Sequence, residues 1–66
     1  MAGQAKVLID RIIEERSKGN ALLASTTHTK LILKGIDPSR YYATTPDDPQ
    51  VIARLRQLAA EFNVTL

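Results

Sequence analysis

The chain has 66 residues, 44% of them hydrophobic, and it contains no cysteine. A chain this short forms at most one domain and buries only about 60% of the surface that it exposes when unfolded. Its hydrophobic core must therefore stabilise the fold without disulfides or thiolate metal sites. Nine basic and seven acidic side chains give a net charge of +2, a weak bias for a dedicated nucleic-acid binder. We expect a single helical domain over residues 1–66.

The chain shows no signal for a membrane span or a secretory leader. Its apolar runs are short, as in Val7-Leu8-Ile9, and Asp10 and Arg11 interrupt the first of them. A membrane-spanning helix needs about 20 consecutive apolar residues, and a leader also needs a longer apolar region than this. The lack of cysteine is compatible with a reducing compartment. We therefore expect a cytoplasmic protein with no membrane partner.

The first helix is predicted over residues 4–18. Five apolar residues recur at helical spacing and share one stripe: Ala5, Leu8, Ile9, Ile12 and Ile13. Arg16 and Lys18 lie in the last turn, where cations complement the carbonyl end of the helix dipole. Gly19 follows, and glycine adopts the left-handed conformation that commonly ends a helix.

A second helix is predicted over residues 20–34, although its pattern also fits a strand. Asn20 is a good N-cap, and the cations Lys30 and Lys34 stand just before Gly35. Leu23, Thr27 and Leu31 lie four apart, as on one helical face. Thr27, Thr29, Leu31 and Leu33 also alternate as in a strand, and threonine favours strands. The terminal signals favour a helix whose first turns, residues 21–25, are irregular.

The segment from Gly35 to Pro49 reads as one helix stop followed by two helix starts. Asp37-Pro38 and Asp48-Pro49 both combine an N-cap residue with a proline suited to the first helical position. The spacing of Ile36 and Tyr41 is that of a hydrophobic staple. It predicts a short helical turn around residues 38–42 with Tyr41 facing inward and Tyr42 outward.

A third helix is predicted over residues 49–62. Its apolar stripe covers three turns: Val51, Ile52, Leu55, Leu58, Ala59 and Phe62. Asn63 is expected in the left-handed conformation, with Val64 folding back on the last turn. Three apolar stripes without paired strands predict an all-α fold, a small three-helix bundle with an additional short helical turn.

No arrangement of side chains predicts catalysis, a metal site or a cofactor site. His28 is the only histidine, and no carboxylate stands at a recognised metal-ligand spacing from it. The serines lack a nucleophile elbow, and neither glycine-rich phosphate-binding motif occurs. Asp47 and Asp48 are adjacent and are expected to serve a helix start. We therefore expect a protein that is not an enzyme.

The leading functional hypothesis is a protein-interaction module or a homodimerising domain. The run Leu31-Ile32-Leu33 spans too wide an arc for one core-facing stripe, so part of it is available to a partner. Tyr42 is expected to point outward beside Arg40, and both residue types are enriched at protein interfaces. The candidate interface residues are Leu31, Leu33, Arg40 and Tyr42.

The alternative hypothesis is a weak nucleic-acid or anion-binding domain. No acidic side chain occurs between Gly19 and Ile36, and hydroxyls and cations share part of this segment. Such a face can contact phosphate oxygens, although its threonines can instead hydrogen-bond to preceding backbone carbonyls. The candidate contact residues are Thr26, Thr27, Lys30, Lys34 and Arg40.

Overall fold

A computed structural model describes residues 2–66 and shows an all-α three-helix bundle. α1 spans Gln4–Ser17, α2 spans Ala21–Leu33 and α3 spans Pro49–Glu61. A 3-10 turn, Pro38–Arg40, lies between α2 and α3. The predicted fold class is confirmed.

The segment that also fitted a strand is helical throughout. Residues 25–33 all belong to α2, and within residues 2–66 the extended pairing is confined to a bridge between Ala2 and Pro46. A strand in this segment would have needed a partner for its backbone groups, and the helix satisfies these groups internally. The strand alternative is therefore wrong.

The predicted N-caps of α2 and α3 are confirmed. The Oδ1 atom of Asn20 accepts hydrogen bonds from the N–H groups of Leu22 and Leu23, at 2.9 and 3.2 Å. The Oδ1 atom of Asp48 accepts one from the N–H of Gln50 at 2.9 Å. Such caps satisfy donors that have no partner within the helix. Because Asn20 is well placed, the first turn of α2 is regular, and the expected irregularity is absent.

The end of α3 also follows its sequence signal. Asn63 has a φ of 59°, in the left-handed region. The N–H of Val64 then donates to the carbonyl of Ala59 at 2.8 Å, while the N–H of Asn63 donates to Ala60. This is the hydrogen-bond pattern of a Schellman motif. It turns Val64 back onto the bundle, where the side chain is buried.

The 3-10 turn is shorter than predicted, but it places the tyrosines as expected. Asp37 accepts hydrogen bonds from the N–H and the hydroxyl of Ser39, and the turn ends at Arg40. Tyr41 then has extended backbone and packs against the core, whereas 63% of the surface of Tyr42 is exposed. The helical turn thus covers residues 38–40 and not residues 38–42.

The start of α1 is attached to the loop before α3. Gly3 has a φ of 84°, and its N–H donates to the carbonyl of Thr45 at 2.9 Å. The N–H of Gln4 donates to Asp47 Oδ1 at 3.0 Å, so a carboxylate 43 residues away caps this helix. A Cβ atom on Gly3 would lie 2.5 Å from the carbonyl oxygen of Ala43. Only glycine allows this close approach of the two segments.

The hydrophobic core is built around α1. This helix packs against both α2 and α3, whereas α2 and α3 have little direct contact with each other. The radius of gyration of 10.9 Å agrees with about 11 Å for a folded chain of this length. The buried apolar residues come from all three helices and from the short segments that follow α2 and α3: Ala5, Ile9, Ile12, Leu31, Ile36, Leu55, Leu58, Ala59 and Val64.

Candidate functional site: the outer face of α2

α2 has one side in the core and the opposite side in water. Thr27 and Leu31 are buried, with 5% and 0% of their surfaces exposed. An α-helix has 3.6 residues per turn, so residues that follow one another at intervals of four, three and four positions lie on one side of it. On α2, four residues with these intervals lie on the side opposite to Thr27 and Leu31, and all four are exposed. We call these four exposed residues the outer stripe: Leu22, Thr26, Thr29 and Leu33.

The ends of the outer stripe are the most exposed large apolar side chains in residues 2–66. Leu33 is 80% exposed and Leu22 is 74% exposed. Leu23 and Ile32 flank the stripe and are each nearly half exposed. Scattered exposed apolar residues are ordinary in soluble proteins, but a contiguous set is typical of a contact surface. Because α3 packs on α1, it does not cover this side of α2.

The threonines of the outer stripe are less polar than the sequence indicates. The hydroxyl of Thr26 donates to the carbonyl of Leu22 at 2.9 Å, and that of Thr29 donates to the carbonyl of Ser25 at 3.1 Å. Hydroxyls bound in this way have used their only donor on the helix backbone. Their methyl groups remain available to an apolar partner. The stripe is therefore more hydrophobic than its residue types alone indicate.

Two cations lie beside the outer stripe. Lys30 and Lys34 are exposed, and neither ammonium lies within 4 Å of a carboxylate in the described chain. No acidic side chain occurs from Gly19 to Ile36, and Asp37 is the first carboxylate after α2. The outer stripe itself carries no charge.

The predicted protein interface needs one correction. Leu31 is fully buried, because it faces α1, and it cannot contact a partner without opening the core. Leu33, Arg40 and Tyr42 are exposed as predicted. Arg40 and Ile32 line a shallow groove of about 320 Å³, so the end of α2 and the 3-10 turn form one continuous surface.

The predicted anion-binding face also needs a correction. Thr27 is buried, and its hydroxyl donates to the carbonyl of Leu23 at 2.8 Å. Thr26 is exposed but has used its donor in the same manner. Arg40 Nε lies 3.8 Å from Asp37 Oδ2, an acidic group at the edge of the face. Among the predicted anion contacts, this leaves Lys30 and Lys34. Within residues 2–66, neither ammonium group is paired with a carboxylate.

The pKa of the Asp37 carboxyl lies below its ordinary value. The hydroxyl of Ser39 donates to it at 2.7 Å and the N–H of Ser39 at 3.0 Å. These two hydrogen bonds, with smaller contributions from the nearby charges of Arg40 and His28, lower the pKa below 3.8. Hydrogen bonds to the ionised form have this effect. Asp37 is thereby held as a negatively charged helix cap.

His28 does not belong to a metal-binding cluster. The side chain is half-buried on α2, and within residues 2–66 no three histidine, aspartate or glutamate side chains converge on one point. Every buried side-chain nitrogen or oxygen in the same region has a hydrogen-bond partner. The buried polar side chains of this region are therefore satisfied within the fold.

A second exposed apolar region lies between the start of α1 and α3. Val7 is 64% exposed and lines a groove of about 380 Å³ with Leu8 and Arg56. An adjoining groove includes Asp47 and Ile52. Because a guanidinium and a carboxylate interrupt the apolar groups here, this region is a weaker candidate than the outer stripe.

Leu22 and Thr29 are not among the site residues predicted from the sequence, in which the run Leu31-Ile32-Leu33 is the conspicuous apolar signal of α2. The signal that could have found them is the helical spacing of Leu22, Thr26, Thr29 and Leu33. This spacing places them directly opposite the Thr27 and Leu31 pair.

Comparison with known proteins adds no further constraint. No family model matches the chain, and neither the curated proteins nor the solved structures contain a significant match. None of the helices within residues 2–66 combines the length and the apolar character needed to cross a membrane.

Proposed function

We propose that this chain is a protein-interaction module that binds through the outer stripe of α2. The observation that carries the proposal is the exposure of Leu22 and Leu33, at 74% and 80%, on the two ends of one uncharged helical face. Burying a leucine side chain is worth about 1.5–3 kcal/mol. A partner that covers both leucines therefore gains several kcal/mol without having to desolvate a charge.

The neighbouring residues extend this contact surface. Ile32 lies beside Leu33 and is half exposed, and Arg40 and Tyr42 follow just beyond the end of α2. Arginine and tyrosine contribute strongly at protein interfaces, because each offers both apolar area and hydrogen-bond donors. Leu33, Arg40 and Tyr42 remain proposed interface residues, and Leu22 takes the place of Leu31.

The proposal assigns the chain no catalytic step and no cofactor. A cytoplasmic location is part of it, since a chain without cysteine is compatible with a reducing compartment. The alternative, binding of phosphate or nucleic acid by α2, has less support. The hydroxyls of Thr26 and Thr29 are occupied by backbone carbonyls, which leaves Lys30 and Lys34 as isolated donors.

Site-specific photocrosslinking tests this proposal. A crosslinking amino acid replaces Leu33 in the full chain, and a control variant carries it in place of Gln57, which is exposed on α3. After irradiation in a lysate of the source cells, we expect a protein adduct from position 33 and little from position 57. Absence of an adduct from position 33, or equal adducts from both, would contradict the proposal.

A further inference from the structure

Tyr42 stands on a turn that apolar packing does not hold. Tyr42 is 63% exposed, and the next two residues, Ala43 and Thr44, are exposed as well. Tyr41, just before the turn, packs against the core, and α3 begins only at Pro49. An exposed segment gains little from burial to offset the conformational entropy that it loses on ordering. Hydrogen bonds therefore hold the backbone of Tyr42 in place.

Thr45 closes this turn with two hydrogen bonds to the backbone of Tyr42. The N–H of Thr45 donates to the carbonyl of Tyr42 at 3.0 Å, which is the pattern of a β-turn. The N–H of Tyr42 donates in return to Oγ1 of Thr45 at 2.7 Å. One residue thus binds both main-chain polar groups of Tyr42, and the second bond depends on a side-chain hydroxyl.

Thr45 is in turn held by the start of α1. Its carbonyl accepts a hydrogen bond from the N–H of Gly3 at 2.9 Å. The β-bridge and the carboxylate cap of α1 lie beside this bond. We call these contacts between residues 2–4 and residues 45–47 the clasp. Because the clasp holds the carbonyl of Thr45, it also holds the backbone from which the Thr45 hydroxyl reaches Tyr42.

We propose that Thr45 is the positioning residue of Tyr42, and that the clasp makes the order of Tyr42 depend on the start of α1. This inference rests on the proposed function in counting Tyr42 among the interface residues, and it adds how that residue is held. The outer stripe lies on a regular helix that the clasp does not contact. The interaction surface therefore has a fixed part on α2 and a part whose order is set from α1.

The space around Gly3 shows how closely the two segments are joined. A Cβ atom at Gly3 would lie 2.5 Å from the carbonyl oxygen of Ala43, which directly follows Tyr42. Any displacement of the start of α1 toward the turn therefore meets the backbone next to Tyr42. The hydrogen bonds of the clasp resist displacement in the opposite direction, so the turn is held from both sides.

Amide hydrogen exchange of Tyr42 tests the positioning role with matched variants of Thr45. Thr45→Val replaces the hydroxyl with a methyl group, and Thr45→Ser keeps the hydroxyl. The net contribution of one hydrogen bond corresponds to a rate change of about 2- to 10-fold. We expect the Tyr42 amide to exchange faster by this factor in Thr45→Val and at the wild-type rate in Thr45→Ser. Thr44→Val makes the same change one position earlier and is expected to leave the rate unaltered.

Three results would overturn the positioning role. The first is an unchanged Tyr42 exchange rate in Thr45→Val, and the second is an equal acceleration in Thr45→Val and Thr45→Ser. The third is an equal acceleration of helix amides, such as that of the buried Ile12, because it would show a general loss of stability. A rise that is confined to the turn and rescued by serine supports the proposal.

Asp47 variants test the dependence on α1 without a steric clash. Asp47→Ala removes the oxygen that accepts the hydrogen bond from the N–H of Gln4, and Asp47→Asn keeps an oxygen at this position. We expect faster exchange of the Tyr42 amide in Asp47→Ala and little change in Asp47→Asn. An unchanged rate in Asp47→Ala, or the same rise in both variants, would show that Tyr42 does not depend on the clasp.

The exchange measurements need no partner, so they are separate from the crosslinking experiment at position 33. An adduct from position 33 together with unchanged exchange of Tyr42 supports the interaction surface and overturns the positioning role. Faster exchange in Thr45→Val without any adduct from position 33 supports the positioning of Tyr42 and refutes the proposed function.

Discussion

Replacing Leu31 and Leu33 one at a time by alanine separates the core side of α2 from its outer side. The two leucines stand two positions apart on the same helix, but Leu31 is fully buried and Leu33 is 80% exposed. The two substitutions remove identical atoms from the same helix. Any difference in stability between the variants therefore reports only the surroundings of the two side chains.

The structure sets the expected size of this difference. A buried leucine replaced by alanine leaves a cavity and costs about 2–5 kcal/mol. A chain of this length has a total stability of roughly 3–10 kcal/mol, so Leu31→Ala removes a large part of it. Leu33→Ala is expected to change the stability by less than about 0.5 kcal/mol, because its side chain is mostly in water and alanine favours the helix.

Urea unfolding followed by circular dichroism at low micromolar concentration measures both variants. We expect the midpoint to fall strongly for Leu31→Ala and to stay near the wild-type value for Leu33→Ala. At low concentration any dimer is dissociated, so the comparison reports the fold of the monomer. Equal losses, or a greater loss for Leu33→Ala, would show that α2 faces the core with a different side.

Three further predictions follow from the loops and the charges. Gly3→Ala is expected to destabilise the chain by about 2–4 kcal/mol in thermal unfolding, because it combines left-handed backbone with a Cβ overlap. Gly19→Ala has the same φ region but open space around the added atom, so its cost is expected to be only about 1–2 kcal/mol; equal costs would refute the overlap. Folding lowers the pKa of Asp37, so the contribution of this carboxylate to stability is present above about pH 4. The contribution is lost as the pH falls through the lowered pKa of the folded state. An NMR titration of Asp37 with a midpoint at or above 3.8 would contradict this. Titration with inorganic phosphate or a short oligonucleotide is expected to shift amide signals near Lys30 and Lys34 only weakly, and saturable submicromolar binding there would favour the anion-binding alternative.

Helix ends could be predicted from the sequence because capping is local. Asn20 and Asp48 each hydrogen-bond to groups two or three positions away, so the neighbouring residues contain all the information. The left-handed Asn63 and the return of Val64 are equally local. The three helices and their boundaries, to within a residue or two, follow from such signals together with apolar periodicity.

Interactions between distant segments could not be predicted in the same way. Asp47 caps α1 across 43 positions, and only the folded loop shows that its carboxylate reaches Gln4. Within Leu31-Ile32-Leu33, the side that meets the core depends on where α1 lies. Leu23 stands four positions before the buried Thr27 on the same helix, yet 46% of its surface is exposed. The reason is that α3 packs on α1 and leaves this side of α2 uncovered.

The character of the candidate site depended on side-chain geometry that a sequence does not contain. Threonine hydroxyls can face solvent or bond to the preceding turn, and the anion-binding hypothesis about α2 depended on this choice. The hydroxyls of Thr26, Thr27 and Thr29 all donate to backbone carbonyls. The threonine donors that the sequence offers for an anion are therefore occupied within the helix.

Methyl NMR of the wild-type chain tests the outer stripe most directly. Spectra are compared between a dilute sample, a concentrated sample and a dilute sample in lysate of the source cells. Relative to the dilute sample, we expect the methyl signals of the outer stripe to shift or broaden together in the concentrated sample, in the lysate sample or in both. The methyl signals of Leu31 are expected to change little. Unchanged stripe signals in both samples would contradict a contact surface on this side of α2.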